Sequence, residues 1–491
     1  MTRNDSNYGD DAPIAAIATA AGNSALTLIR CSGKDSIELA SSVFTANLKN
    51  VPDQKNAFDD IQGNTVIHGW IVKIKSREGK EYFEVIDEVL VSVFRAPKSY
   101  TGEDSLDICC HGGSCTGAAV MAVLKTAGFR EALPGEFTFR AFMNGKIDLT
   151  KSESVMELVC AKTEEGRRHA VSRLCGSLQT EINEIKNILV SVLAGAEIFL
   201  DYSEDEISAE EDEVAGKLPN KDNALAALDR LKKLSCSWRI ERIYQEGITC
   251  VIAGRPNAGK SSLFNMLLKE DRSIVTEVPG TTRDWIEAWV SIEGIPVRLI
   301  DTAGLRESSD SVEKIGVMRS RKLLQEADIV LYLIDGVRGL TKEDNEELGM
   351  LSGEPITGKT LLLWNKCDAA KPPHFTPEYF TQFKNISPIS AKTGEGLTEL
   401  YSAVTCVISK QTMGLLNETV SASVGTLRQK NLVDAACYSL AQALSLADLE
   451  EPLDLIAPLL RDAVNSLGEI TGEVSTADIL EEMFSKFCVG K

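Results

Sequence analysis

The stretch Gly-Arg-Pro-Asn-Ala-Gly-Lys-Ser, residues 254–261, decides the fold of this chain. It follows the apolar residues 251–253 and precedes Ser-Leu-Phe-Asn at 262–265, so it matches GxxxxGK[ST] between a predicted strand and a predicted helix. The glycines let backbone N–H groups approach phosphate oxygens, and the helix N-terminus adds a favourable dipole. We therefore predict a phosphate-binding loop in which Lys260 reaches the β and γ phosphates and the hydroxyl of Ser261 coordinates Mg²⁺.

Further segments follow in the order that a GTPase requires. Asp301-Thr302-Ala303-Gly304 ends a predicted strand, where Asp301 can hold Mg²⁺ through water and the Gly304 N–H can sense the γ phosphate. Upstream, Gly280-Thr281-Thr282-Arg283-Asp284 offers a threonine hydroxyl as a second Mg²⁺ ligand. Each motif taken singly is also compatible with an exposed turn, but their order favours a nucleotide-binding domain.

A base-recognition motif completes the set. Asn365-Lys366-Cys367-Asp368 ends the next predicted strand, and Ser390-Ala391-Lys392 follows it. The Asp368 carboxylate can accept from guanine N1–H and from the exocyclic amine, whereas adenine has neither donor there and would leave the buried carboxylate unpaired. The motifs together predict a domain that binds and hydrolyses GTP.

The position after Gly304 departs from Ras-like proteins. It holds Leu305 where those proteins place the glutamine that orients the attacking water, and leucine cannot do this. Acidic residues in the following segment are substitutes, and Glu307, Asp310 and Glu313 are the candidates. Salt bridging along a helix face is the alternative explanation for each of them.

Composition limits the possible classes of protein. The chain has 491 residues, which suggests about three domains at roughly 150 residues each. Its formal charge of −20 makes it a poor non-specific binder of nucleic acid, so RNA contacts require local basic patches or a partner. The 12 cysteines are too sparse for a disulfide scaffold and are not spaced as a zinc site. No apolar run is long enough for a transmembrane helix, so we expect a cytoplasmic protein with no membrane contact.

The hydrophobic pattern divides the chain into four segments. Residues 1–146 alternate short strand-like runs with turns and predict an α+β domain, whereas 147–246 predict helices, 247–411 alternate strands with helices, and 412–491 are again helical. We expect a long helix with one buried stripe, formed by Leu178, Ile182, Ile185, Leu189, Val192 and Ala196. In the next helix Leu225, Leu228 and Leu231 are expected on one face. The predicted fold is an α+β N-terminal domain and a discontinuous α-helical bundle, with an α/β P-loop GTPase (Ras-like) domain inserted in the bundle.

At this point the sequence resembles the tRNA-modification GTPases of the MnmE, or TrmE, family. The resemblance covers nearly the whole chain and rests on motifs outside the GTPase segments as well as within them. These are residues 95–97 and 99–104, His-Gly-Gly at 111–113, residues 134–138 and 140–146, and the terminal Phe-Cys-Val-Gly-Lys at 487–491.

The resemblance implies a function for the N-terminal domain and a set of partners. In this family that domain binds a tetrahydrofolate derivative (5-formyl- or 5,10-methylene-tetrahydrofolate) and mediates homodimerisation. Members act on tRNA with a FAD-containing partner, MnmG or GidA, in a heterotetramer, and FAD is expected in the partner only. Together they install a (carboxymethyl)aminomethyl-type group on C5 of the wobble uridine of certain tRNAs. Carried over by motif, the folate contacts are Arg30, Glu103, Lys146 and Lys491.

The resemblance also assigns catalytic and metal-binding residues. Glu313 matches the glutamate that orients the hydrolytic water, and Cys488 matches a cysteine implicated in the modification chemistry, although a buried hydrophobic cysteine is the alternative. The predicted Mg²⁺ ligands are Ser261 and Thr282, and the predicted K⁺ ligands are Asn257, Thr276, Val278 and Thr281. The full set of predicted GTP contacts is Asn257, Ala258, Gly259, Lys260, Ser261, Ser262, Thr276, Glu277, Val278, Pro279, Gly280, Thr281, Thr282, Asp301, Thr302, Ala303, Gly304, Asn365, Lys366, Asp368, Ser390, Ala391 and Lys392.

One alternative of a different class remains open. The GTPase motifs alone do not exclude a regulatory or ribosome-assembly GTPase that acts as a switch and modifies no substrate. The N-terminal domain and the terminal pentapeptide at 487–491 argue for the modification enzyme.

Overall fold

The computed structural model of this chain describes residues 8, 10–20, 22–48, 58, 61–77, 80–201, 218–270, 286–301, 323–350, 357–371, 386–411, 422–474 and 477–490. The chain divides into two compact units, one formed by Met1–Ser152 with Gly468–Lys491 and the other by Glu153–Leu467. Among the helices described, none is long and apolar enough to cross a membrane.

The first unit is built on a seven-stranded sheet, with the helix Ser114–Ala127 packed on one face and Phe137 of the helix Glu136–Met143 packed on the other. Its strands are β1 (Ile14–Ile17), β2 (Leu26–Ser32), β3 (Phe44–Thr45), β4 (Thr65–Arg77), β5 (Lys80–Phe94), β6 (Ser105–His111) and β7 (Arg130–Glu131). Their order is β3-β4-β5-β6-β2-β1-β7, antiparallel throughout except for the parallel pair β1–β7. The helices of this unit include α1 (Ser36–Ser41), α2 (Ser114–Ala127) and α3 (Glu136–Met143).

Alternation along the strands explains why α2 packs where it does. Successive side chains of a strand point to opposite faces, so Ile29, Val91 and Ile108 lie side by side on one face of β2, β5 and β6. All three are buried in one core with Val120 and Leu124 of α2. The α+β architecture predicted for this region is confirmed.

Helices dominate the second unit on both sides of its α/β portion. They are α4 (Leu149–Cys160), which begins in the first unit, α5 (Glu164–Leu174), α6 (Ser177–Asp201) and α7 (Lys221–Glu246), followed after the α/β portion by α11 (Leu427–Asp448) and α12 (Leu453–Thr471), which ends in the first unit. The six apolar residues predicted as the stripe of α6 are all fully buried, which confirms that prediction.

One prediction for α7 is wrong. Leu228 and Leu231 are buried as expected, but Leu225 is 47% exposed. Consecutive steps of three residues each fall about 60° short of a full helical turn, so Leu225 lies about 120° from Leu231 around the axis. The buried stripe uses Ala224 and Ala227 instead.

Residues far apart in sequence close the helical bundle. Ser235 on α7 donates to Asp434 on α11 at 2.6 Å, and Gln245 at the end of α7 donates to the Gly425 carbonyl just before α11 at 2.5 Å. On α4, Glu153 accepts from Gln429 at 2.5 Å. Segments on both sides of the α/β portion therefore form one bundle.

The α/β portion is a six-stranded sheet with helices on both faces. Its elements are β8 (Ile248–Gly254), α8 (Lys260–Glu270), β9 (Ile286–Ile292), β10 (Ile295–Asp301), β11 (Ile329–Asp335), α9 (Lys342–Met350), β12 (Thr360–Asn365), β13 (Ile386–Ile389) and α10 (Leu397–Gln411). The strand order is β13-β12-β11-β8-β10-β9, and only the hairpin β9–β10 is antiparallel. The last element of the chain with regular structure is α13 (Ala477–Ser485), in the first unit.

Both faces of this sheet are buried, as expected for parallel strands between helices. Ile252 and Leu331 face one core with Leu263 of α8, whereas Val251 and Val330 face the opposite core. The carboxyl ends of β8, β10, β11 and β12 consequently meet at one edge. The predicted combination of an α+β domain, a discontinuous helical bundle and an inserted P-loop domain is confirmed.

A buried ion cluster lies inside the helical bundle. The Arg173 guanidinium contacts the Glu157 carboxylate at 2.6 Å, the Glu241 carboxylate at 2.8 Å and the Ser423 hydroxyl at 2.8 Å, and it is 1% exposed. Burial raises the pKa of Glu157 despite the nearby Arg173 charge. Burial also opposes ionisation of Glu241, but a hydrogen bond with His169 and the charge of Arg173 outweigh it and lower the pKa of Glu241.

The ion cluster lies where the inserted α/β portion begins and ends. The chain leaves the bundle at the end of α7 and returns at residues 422–426, and Arg173 ties Glu241 of α7 to Ser423. Burying these charges has a desolvation cost, and an apolar cluster of the same volume would be as stable or more so. An ion cluster, unlike an apolar one, specifies which segments meet.

We expect Arg173→Met to destabilise the bundle by about 3–5 kcal/mol, because it leaves buried carboxylates without their cation. The matched control is Arg167→Met on the same helix, where an exposed arginine pairs with an exposed Glu164 and contributes at most about 1 kcal/mol. Urea titrations followed by circular dichroism measure both variants. Equal shifts in the two midpoints would show that the cluster contributes no more than a surface pair.

Candidate functional site

The loop at residues 254–259 connects the central strand β8 to α8, at the sheet edge where the carboxyl ends of the strands meet. Three of its residues have positive φ, namely Gly254 at 129°, Asn257 at 66° and Gly259 at 100°. A Cβ on Gly259 would lie 2.1 Å from Nδ2 of Asn365, so no other residue fits there without displacing that amide. The glycines at 254 and 259 thus permit the positive φ values of the loop, and Gly259 also leaves room for the side chain of Asn365.

The first two residues of α8 occupy the positions expected of a phosphate site. Lys260 is buried, and its ammonium donates to the carbonyl oxygens of Gly254 at 2.9 Å and Arg255 at 2.8 Å. The Ser261 hydroxyl donates to Oδ2 of Asp301 at 3.0 Å, and Asp301 is buried at the end of β10. The two groups assigned to Mg²⁺ from these separate motifs are therefore neighbours, and both present oxygen atoms, the donors that Mg²⁺ prefers.

The base-recognition motif packs directly against this loop. The side-chain amide of Asn365 donates to the Ala258 carbonyl at 2.7 Å, and its oxygen accepts from the Ala391 N–H at 3.0 Å. The buried Ser390 donates its hydroxyl to Oδ1 of Asp368 at 2.7 Å. Asn365 thus links the phosphate loop to the loop that carries Ser390 and Ala391.

Two acidic residues of this edge, Asp335 and Glu343, were not singled out from the sequence. Lys366 donates its ammonium to the Asn257 carbonyl at 3.1 Å and forms an ion pair with Asp335 at 2.7 Å. Arg255 of the phosphate loop pairs with Glu343. Asp335 ends β11. An acidic residue at the carboxyl end of a predicted parallel strand was the feature of the sequence that could have identified it as part of this site.

Several predicted residues lie outside the described part of the chain. These are Thr276, Glu277, Val278, Pro279, Gly280, Thr281, Thr282, Thr302, Ala303, Gly304, Glu313 and Lys491. Leu305, Glu307 and Asp310 lie outside it as well.

Three of the four predicted folate contacts, namely Arg30, Glu103 and Lys146, are among the described residues of the first unit. Arg30 on β2 pairs with Asp107 on β6 at 3.2 Å, and its guanidinium lies 5.6 Å from the ring centre of Tyr100 and 5.9 Å from that of Phe137. Glu103 accepts from the Ser32 hydroxyl at 2.9 Å.

Arg140, Lys146 and the C-terminal residues complete this region of the first unit. The buried Arg140 donates to both carboxylate oxygens of Glu103 at 3.3 Å, and the Lys146 ammonium donates to the Pro97 carbonyl at 2.8 Å. The carbonyl of Gly490 accepts from Arg30 at 3.4 Å.

Cys488 is exposed, so the alternative of a buried hydrophobic cysteine is wrong. Its carbonyl accepts from the N–H of Gly135 at 3.3 Å. The C-terminal motif therefore lies beside both the 134–138 motif and Arg30.

The fold and this edge of the sheet define a class of protein. The phosphate loop follows the central strand β8, and a buried aspartate ends the neighbouring strand β10. The Asn-Lys-x-Asp motif lies on the other side of β8, at the end of β12, two strands away. This arrangement defines a P-loop GTPase domain in the second unit.

Comparison with known proteins extends this class to a family. The family model for the MnmE helical domain matches residues 149–488, and the model for the GTP-binding protein TrmE N-terminus matches residues 13–146. The tRNA modification GTPase MnmE of Treponema denticola is 42% identical over 98% of this chain and 98% of its own length. That of Carboxydothermus hydrogenoformans is 40% identical over 97% of this chain and 99% of its own length. The chain belongs to the MnmE family of tRNA modification GTPases.

A solved structure is similar over part of the chain. A single-residue variant of Aquifex aeolicus Era bound to GDP·AlF4⁻ is 25% identical over 39% of this chain and 66% of that chain, with a TM-score of 0.27. That TM-score is too low to say anything further about this protein.

We expect Asp368→Asn to weaken GTP binding by about 2–4 kcal/mol, because an NH2 donor replaces one of the two carboxylate oxygens that accept from guanine N1–H and from the exocyclic amine. Xanthine carries a carbonyl at C2 where guanine carries an amine, so the same variant should bind XTP more tightly than the wild type does. Equilibrium titration with fluorescent GTP and XTP analogues measures both affinities. Unchanged GTP affinity in the variant would contradict the base-pocket assignment.

Proposed function

We propose that this chain hydrolyses GTP as part of a tRNA modification reaction. Acting with a FAD-containing partner, it adds a (carboxymethyl)aminomethyl-type group to C5 of the wobble uridine of certain tRNAs. The observation that carries the proposal is the match to MnmE relatives over 98% of the chain, because it covers both compact units and not only the GTPase domain. A GTPase switch without substrate modification does not require an N-terminal unit of this kind.

The residues at the sheet edge have distinct roles in the proposed GTP hydrolysis. Lys260 binds the β and γ phosphates, and the carboxylate of Asp368 binds guanine. Ser261 and Thr282 hold Mg²⁺, with Asp301 acting through water, and the bound ion neutralises phosphate charge. The hydroxyl of Ser261 beside the Asp301 carboxylate fits such an ion.

Glu313 takes the place of the glutamine that Ras-like proteins use, and a monovalent-cation site supplies the positive charge that other GTPases receive from an arginine side chain. Glu313 orients the attacking water, since Leu305 cannot. Asn257, Thr276, Val278 and Thr281 hold K⁺, which supplies positive charge near the β–γ bridge when bound. Asn257 is exposed in the phosphate loop, so its side-chain oxygen is accessible to such an ion, which supports this assignment.

The first unit binds the one-carbon donor in this proposal. Arg30, Glu103, Lys146 and Lys491 hold a tetrahydrofolate derivative, whose pterin ring and glutamate tail offer donors, acceptors and carboxylates to such groups. The guanidinium of Arg30 near the rings of Tyr100 and Phe137 suits a flat, polar ring system. The exposed Cys488 takes part in the modification step, and the protein works in the cytoplasm as a homodimer within a heterotetramer.

We expect a strain lacking this chain to contain tRNA without the modified wobble uridine, and we expect the wild-type gene to restore it. Cys488→Ser should restore GTP hydrolysis but not the modification, because the C-terminal motif and the GTPase motifs lie in different compact units. Mass spectrometry of digested tRNA measures the nucleoside, and phosphate release measures hydrolysis. Fully modified tRNA in the deletion strain would favour the switch GTPase, and full modification with Cys488→Ser would make that residue structural.

We expect hydrolysis to be at least about tenfold faster in K⁺ than in Na⁺, if the ion lowers the barrier by about 1.4 kcal/mol or more. Asn257→Ala should remove most of this difference, and Glu313→Ala should slow hydrolysis while GTP binding is retained. Steady-state phosphate release in KCl and NaCl at equal ionic strength is the measurement. Equal rates in the two salts for the wild type would exclude the cation from the mechanism.

A further inference from the structure

The ammonium of Lys366 bridges two parts of the nucleotide site that belong to different strands. It donates to the main-chain carbonyl of Asn257 in the phosphate loop at 3.1 Å, and it forms an ion pair with Oδ2 of Asp335 at 2.7 Å. The Asp335 side chain is only 13% exposed, so water screens this pair less than it screens a surface pair. The backbone of Lys366 has a φ of 65°, which directs its side chain away from the course of an extended strand.

The position of Asp335 is fixed by the sheet and not by Lys366. Asp335 lies opposite Asn365 in the register of β11 and β12, and its Oδ1 accepts from the N–H of Val337 at 3.0 Å. The N–H of Gly336 donates to the Asn365 carbonyl at 2.9 Å. A Cβ at Gly336 would lie 2.4 Å from that carbonyl oxygen, so the turn after Asp335 requires glycine.

The ionisation of Asp335 is consistent with its ion pair with Lys366. Burial by itself disfavours the ionised form of Asp335, but its hydrogen bonds with Lys366 and with the Val337 N–H outweigh burial, and its pKa is lowered. Asp335 is therefore a carboxylate at neutral pH, and it places a fixed negative charge beside the ammonium of Lys366.

We propose that Asp335 is a positioning residue for guanine-nucleotide binding. It holds Lys366 against the Asn257 carbonyl, and this contact fixes the spacing between the base-recognition loop and the phosphate loop before the nucleotide arrives. A site that is ordered in advance loses less entropy on binding, so the contribution of Asp335 appears in affinity and not in the chemical step. The inference rests on the proposed function, because it requires that this site bind GTP.

A double-mutant cycle tests whether Asp335 acts through Lys366. The variants of the full chain are Asp335→Asn, Lys366→Met and the double variant. Asparagine keeps an oxygen for the Val337 N–H, and methionine keeps most of the aliphatic stem of Lys366. The affinity and dissociation rate of fluorescent GDP and GTP analogues are measured by titration and stopped flow, together with KM and kcat for GTP.

We expect Asp335→Asn to weaken nucleotide binding about tenfold, mainly through faster dissociation, with kcat changed less than about twofold. Lys366→Met should weaken binding at least as much, and the double variant should bind no more weakly than Lys366→Met alone. The matched control is Glu287→Gln, which removes another ion-paired carboxylate of the same sheet, that of Glu287 with Arg298, and should leave nucleotide affinity unchanged.

Three results would overturn the inference. The first is an unchanged nucleotide affinity in Asp335→Asn. The second is a double variant whose loss of affinity equals the product of the losses in the two single variants. The third is a loss of affinity in the Glu287→Gln control as large as that in Asp335→Asn. Multiplying effects would mean that Asp335 acts through the stability of the sheet and not through Lys366. A wild-type chain that binds no GTP would instead overturn the proposed function itself, so the two failures are distinguishable.

Discussion

The structure of the nucleotide site depends on where the carbonyl groups of the phosphate loop find their hydrogen bonds. A loop that offers its N–H groups to phosphate oxygens must turn carbonyl groups outward, and buried carbonyls need donors. Lys260 donates to the first two carbonyls of the loop, and two residues of the base-recognition motif serve the carbonyls further along. Lys366 donates to Asn257, and Asn365 donates to Ala258. The phosphate loop and the base-recognition loop are therefore one hydrogen-bonded structure, although the bonded residues lie 109 and 107 positions apart in sequence.

Local patterns in the sequence predicted most of this architecture. The strand before residue 254, the helix from Lys260 and the buried stripe of α6 all follow from hydrophobic period and glycine position, which the chain encodes within a few residues. The prediction for Leu225 failed within the same kind of pattern, since leucine spacing alone did not show that Ala224 and Ala227 form the buried face. Small residues contribute to a helix core without marking it in the sequence.

The partners of charged side chains were not predictable in this way. Arg173 contacts Ser423, which lies 250 positions further along the chain. Lys366 follows the end of β12 and contacts Asp335 at the end of the neighbouring strand β11. A sequence pattern gives the class of a residue and its face, but ion pairs between elements depend on how those elements pack. By contrast, the contact between Asp301, at the end of β10, and the Ser261 hydroxyl, in the first turn of α8, was predictable. The sequence motifs that contain these two residues themselves mark where the strands end. Asp335 ends its strand without a comparable motif.

The helical bundle contacts the hairpin β9–β10 of the inserted domain. The Lys162 ammonium lies 3.4 Å from the ring centre of Trp289 on β9, and burial, followed by the charge of Arg298, lowers the pKa of Lys162. A cation so close to an indole face is held by the ring as well as by the Glu246 carbonyl at 3.5 Å. The hairpin pairs Trp289 with Arg298, and β10 ends at Asp301 beside the phosphate loop. The β9–β10 hairpin thus runs from the helical bundle to the edge of the sheet where the phosphate loop lies. It carries both Trp289, which packs on the bundle, and Asp301, which lies beside the phosphate loop.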